Sequence, residues 1–106
     1  MNNERDVDVY KAALDFWGIT EQRLKAIEEF AELMVELAKR DSSVNNLKGI
    51  YEELADAEIM LEQMKIYFGQ QEVEKRKMFK LERLKALIGM PNKWNGKHHY
   101  EDCDNA

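Results

Sequence analysis

An all-α fold, four helices around one modest core, follows from three features of this 106-residue sequence. Leu, Lys, Glu, Met and Ala recur throughout and lose little rotamer freedom in a helix, while long stretches rich in Val, Ile and Thr are missing. Apolar residues return at three- and four-residue steps, the period of a helix face. The breakers fall between those periodic runs: Gly18, Gly69, and the triplet Gly89-Met90-Pro91 that contains the single proline.

The first helix is expected over about 7–17, where Val7, Tyr10, Leu14 and Trp17 share a face. Gly18 can end it and Thr20 can cap the next. The second, over about 21–40, carries two apolar rows. Leu24, Ile27, Ala31, Met34 and Ala38 form one, and Ala26, Phe30, Leu33 and Leu37 the other, so its buried face should be wide. Asp41-Ser42-Ser43 breaks the pattern with cap-competent side chains. A third helix over about 47–68 should turn Leu47, Ile50, Leu54, Ala57, Leu61, Met64 and Phe68 inward, with Gly69 as its stop. A fourth, over about 71–88, should bury Met78, Leu81, Leu84 and Ile88. The expectation is one all-α domain over 1–91 and an irregular C-terminal tail over 92–106, with Trp94 and Tyr100 as candidate anchors.

A net charge of −5 makes the chain as a whole repel a phosphate backbone, so stable binding to nucleic acid would need a segregated basic face. Nucleic acid and membrane are therefore not expected partners. One cysteine, Cys103, cannot form an internal disulfide, and the N-terminus is polar rather than an apolar signal, so the cytoplasm is the expected location. No apolar run approaches the ~20 residues that span a bilayer.

The chemistry is carried by acids. The second helix contains Glu28-Glu29-Phe30-Ala31-Glu32 and the third Glu52-Glu53-Leu54-Ala55-Asp56, an acidic pair at i and i+3 in each. Residues so spaced are neighbours on a helix, about 5–6 Å apart at Cβ, and two like charges at that range repel unless something offsets them. Both pairs are equidistant from Ser42-Ser43. About ten residues up one arm and down the other, roughly 15 Å each, should return them to one level of an antiparallel hairpin. The competing reading is a pair of solvated acidic faces. Glu29 fits it, because Gln22, Lys25, Glu36 and Arg40 on its face are all polar. Glu53 does not: Ile50, Ala57, Met60 and Met64 surround it at −3, +4, +7 and +11, and an unpaired carboxylate in an apolar stripe costs several kcal/mol.

Four carboxylates without imidazole or thiolate make a hard oxygen site suited to Mg²⁺, with Mn²⁺ as a substitute, and such a site leaves positions for water and phosphate. The only histidines, His98 and His99, fall in the tail, which excludes the Glu-x-x-His pattern of di-iron bundles. Together with Cys103 they make a poor metal cluster in so polar a segment. Arg76, Lys80 and Arg83 form a basic row on the fourth helix, either a polyphosphate contact or a solvated face. Trp17 is either a stacking platform for a base or part of the core.

Over 10–88 the sequence resembles the all-α nucleotide pyrophosphohydrolases, specifically their MazG-like branch in bacteria and phages. The likeness is carried by Trp17-Gly18 with Gln22, by Ala26-Ile27-Glu28-Glu29-Phe30-Ala31-Glu32-Leu33, and by Glu52-Glu53-Leu54-Ala55-Asp56 leading into Glu58-Ile59-Met60-Leu61-Glu62-Gln63. It implies that Glu29, Glu32, Glu53 and Asp56 ligate Mg²⁺, that a (deoxy)nucleoside triphosphate is split into monophosphate and pyrophosphate, and that a homodimer or homotetramer completes the bundle. Where some branches carry a lysine three residues before the glutamate that corresponds to Glu53, this chain has Ile50. In this reading Glu28 is the candidate general base, Trp17, Gln22, Arg76, Lys80 and Arg83 bind substrate, and the role is nucleotide-pool cleansing. The alternatives are a non-catalytic helical oligomer that binds a partner, or a dUTP-directed or phosphoribosyl-ATP-directed member of the same superfamily.

Overall fold

The computed structural model describes residues 4–40 and 45–90. Four helices follow one another: α1 Glu4–Trp17, α2 Ile19–Lys39, α3 Leu47–Phe68 and α4 Gln70–Leu87, with no strand among the described residues. The Ser42-Ser43 break and the tail, including Trp94, His98, His99, Tyr100 and Cys103, lie outside the described residues. The chain divides into two compact units, Met1–Gln71 and Glu72–Ala106. None of the described helices is long and apolar enough to cross a membrane.

Gly18, not Thr20, stands at the head of α2. Its N–H donates to the Leu14 carbonyl at 2.8 Å and its carbonyl accepts from the Gln22 N–H at 3.1 Å, so one residue closes α1 and opens α2. At φ 84 it holds a conformation that a Cβ would strain, which is why Thr20 is left inside the first turn. At the other end of the hairpin Asn46 is the N-cap residue of α3, its carbonyl accepting from the Ile50 N–H at 3.0 Å, but its side chain makes no capping bond. Its amide donates instead to the Glu36 carbonyl at 2.8 Å and to Glu36 Oε2 at 3.3 Å, tying the start of α3 to the end of α2. Gly49 permits that closeness, since a Cβ there would sit 2.7 Å from Glu36 Oε1.

In the first unit α1, α2 and α3 pack on one another, most extensively α2 on α3. The buried stripe of α2 is Gln22, Ala26 and Glu29, and that of α3 is Ile50, Ala57, Met60 and Gln63. This corrects two expectations. On α2 the row containing Leu24, Ile27 and Met34 is exposed, and on α3 so are Leu47, Leu54, Leu61 and Phe68. Ala26 and Ala57, at 2 % and 7 % exposure, are buried in place of these larger apolar side chains.

The second unit is represented by α4. It ends in a full Schellman motif, with Gly89 at φ 70, the Met90 N–H donating to the Lys85 carbonyl at 2.9 Å and the Gly89 N–H to Ala86 at 3.2 Å. Met78, Leu81, Leu84 and Ile88, expected inward, are exposed, and no residue of α4 is buried. Val73, Leu81 and Leu84 line one groove along the helix, flanked by Arg76, Lys77 and Lys80.

Candidate functional site

Three polar rungs cross the α2–α3 seam, set by Gln22, Glu29 and Glu36 at seven-residue spacing on α2. Seven residues are nearly two full turns, so the three side chains fall on one face. The first rung is an amide pair, Gln22 Nε2 donating to Gln63 Oε1 at 2.7 Å in a buried setting. The third is Glu36 with Asn46, described above. The middle rung is different. There Glu29 faces Glu53 and Asp56, and each of the three offers a carboxylate oxygen within 4.8 Å of the others.

Glu29 is 8 % exposed, which overturns its reading as a solvated side chain. Its helix neighbours are indeed polar, but α3 covers that face. Oε1 of Glu29 is held by the Lys25 ammonium at 3.1 Å, whereas Oε2 is buried without a hydrogen-bond partner. Glu53 Oε2 is buried and unpartnered too. Two such oxygens on facing helices are an arrangement that costs free energy unless a cation or protons intervene. Asp56 completes the group from the exposed edge.

Glu32 stands beside these three rather than among them. Its carboxyl is raised above the ordinary 4.5, first by the charge of Glu29, then by burial, by Glu53 and Glu28, and by a hydrogen bond with Glu53. Glu28 is exposed and pairs with Lys25 at 3.5 Å. The Lys25 ammonium, bonded to Glu29 and close to Glu28, is raised in turn and held firmly cationic.

Lys25 also lines the edge of a cleft of about 500 Å³ between α1, α2 and α3, within the size range of ligand pockets. Trp17 and Gln22 line it as well, with Tyr10, Met60 and Gln63. Trp17 is 56 % exposed and is braced by Phe16 in an edge-to-face contact at 4.9 Å, so it is not a core residue. Burial, with help from Asp6, Glu62 and Glu58, raises the Tyr10 hydroxyl and keeps it neutral. No family model, curated protein or solved structure matches this chain.

Arg76, Lys80 and Arg83 belong to the second unit, where they line a groove on α4 beside the exposed ring of Phe79. α4 carries six lysines and arginines against three glutamates, so it is a basic element in an acidic chain. Lys25 and Gln63 were not among the substrate-binding residues expected from the sequence. Lys25 shows one signal in hindsight, its place one turn before Glu29, where an i, i+4 pair forms. Gln63 shows none, because its partner lies on another helix.

The residues fit a small hard cation. All three donors are carboxylate oxygens, two have unused buried lone pairs, and around an octahedral Mg²⁺ at 2.0–2.1 Å adjacent ligands stand about 3 Å apart and opposite ones about 4 Å. Three oxygens within 4.8 Å of one another would converge on one ion with side-chain movements of about 1–2 Å.

Proposed function

We propose that this protein is a Mg²⁺-dependent nucleoside triphosphate pyrophosphohydrolase of the MazG-like kind. The observation that carries the reading is the pair of buried, unpartnered oxygens of Glu29 and Glu53 within reach of Asp56. Glu29, Glu53 and Asp56 would hold the ion, with Glu32 beside them. When bound it would offset their mutual repulsion, neutralise phosphate oxygens and leave phosphorus open to attack.

The chain's own residues account for the rest of the reaction. Water oxygen adds to the α-phosphorus, the α–β bridging bond breaks, and pyrophosphate leaves with the bonding electrons. A carboxylate takes the water proton, and Glu28 is the candidate, exposed and next to Glu29 in sequence. Lys25 stays cationic at the junction of cleft and carboxylates, where it can meet a phosphate oxygen. The nucleoside is assigned to the cleft with Trp17 and Gln22. The exposed Leu24, Ile27 and Met34 of α2 suit burial against a second protomer, the basis for a homodimer or homotetramer.

Pyrophosphate release from a panel of canonical and modified (d)NTPs with Mg²⁺ or Mn²⁺ tests the reaction. Glu53→Gln should lower it about a hundredfold or more, since several kcal/mol of charge stabilisation go with the ligand. No release from any nucleotide by the folded wild type would overturn the proposal. The second reading, a non-catalytic helical binding module, is favoured by the same exposed apolar side chains, and it predicts no thermal stabilisation by Mg²⁺ with a nucleotide.

A further inference from the structure

We propose that the Gln22–Gln63 amide pair reads the edge of a nucleobase, and that the cleft selects bases bearing an exocyclic amino or oxo group beside a ring nitrogen. The inference rests on the nucleotide-hydrolase reading above and names its specificity element.

Gln22 and Gln63 are 6 % and 3 % exposed, yet they line a cleft whose other walls include Val9, Ala13, Trp17 and Ile59. Each glutamine amide has two N–H donors and two acceptor lone pairs. The bond between them, at 2.7 Å, uses one donor of Gln22 and one acceptor of Gln63. Beyond it Gln63 Nε2 meets only the Met60 sulfur at 3.9 Å, a weak acceptor. Two amides desolvated for one good hydrogen bond are a poor way to fill space between helices, because apolar residues of similar volume avoid the penalty. The spare capacity is directional. With its bond made, the pair presents the Gln63 N–H and the Gln22 carbonyl, a donor beside an acceptor.

That pattern complements a base edge on which an amino or oxo group adjoins a ring nitrogen. Flipping both amides together keeps their mutual bond and reverses the order, so one pair serves amino-type and oxo-type edges alike. A base with an unsubstituted edge satisfies neither. Trp17 supplies an aromatic wall for the ring, and Lys25, which lines the cleft and stands 3.1 Å from Glu29, links it to the carboxylates.

The test uses nucleosides without phosphates or metal, so it does not depend on the carboxylates. In a Trp94→Phe background Trp17 is the sole indole, and its fluorescence is titrated with adenosine, cytidine, guanosine and uridine as one group, then with purine riboside and 1-deazapurine riboside, which carry no exocyclic group, as the other. The substituted nucleosides should bind about tenfold or more tightly than the unsubstituted pair, and Gln63→Met should erase most of that ratio. Equal affinity for the two groups in the unmutated cleft, or no response to any nucleoside, overturns the proposal whether or not the Gln63 variant folds. Pyrophosphate release without edge discrimination removes the amide reading and leaves the hydrolase. Discrimination without release from any triphosphate does the reverse.

Discussion

Two rungs of one seam, a helix turn or two apart, solve the same problem in opposite ways. Gln22 and Gln63 bury amides that bond to each other at 2.7 Å. Glu29 and Glu53 bury carboxylates that cannot, because ionised oxygens are acceptors only and each leaves one oxygen without a partner. Both rungs join the same two helices, and the difference that matters is chemical. The amide rung holds itself together by a hydrogen bond between its members, with capacity to spare, whereas the carboxylate rung has only repulsion between its members and needs a cation or protons.

Rebuilding the carboxylate rung as a second amide rung should have the largest effect on stability. Glu29→Gln with Glu53→Gln removes the repulsion and lets the side chains bond, which should raise metal-free stability by about 1–3 kcal/mol, or some 4 °C or more in Tm. Calorimetry in EDTA would show it. The same variant should lose any Mg²⁺-dependent gain, and a lower metal-free Tm would mean that the two acids are already offset. Breaking the amide rung by Gln63→Leu should cost about 1–3 kcal/mol, because Gln22 is left buried without its partner, while thermal response to Mg²⁺ is retained. An unchanged Tm would show that Gln22 re-pairs with water.

The smallest effect is on pH dependence. Glu32 binds its proton more tightly in the native chain than at its ordinary 4.5. Below that value both native and unfolded chains hold the proton and nothing is lost; as pH rises through the raised native value, the native chain must ionise against Glu29 and Glu53, and metal-free stability falls. Melts at stepped pH should show this decline, and Glu32→Gln should flatten it. An identical profile in the variant would assign the slope to other groups.

Part of this was legible in the sequence. The flanks of Glu53, with Ile50, Ala57 and Met60 at helical spacing, mark it as a carboxylate in an apolar stripe, and those three residues are buried. Equal distance from the Ser42-Ser43 break sets the acid motifs at one level, and Glu29, Glu53 and Asp56 do meet there. Burial of Glu29 was not legible. Its own helix offers Gln22, Lys25, Glu36 and Arg40, and only the facing residues of α3 take that surface from water. In α4 the period of Met78, Leu81, Leu84 and Ile88 identifies residues able to be covered, but period carries no information about what covers them.

Seven-residue spacing of Gln22, Glu29 and Glu36 has a bearing on alternative pairings of the hairpin. A slide of α2 along α3 by a single turn would move each of these polar side chains off its counterpart and towards Ile50, Ala57 or Met60. Every amide or carboxylate stranded in that way forfeits about 1–3 kcal/mol. The seam thus acts as a toothed key: mismatched frames are penalised at three places at once, and the frame that survives is the one that brings Glu29 against Glu53 and Asp56.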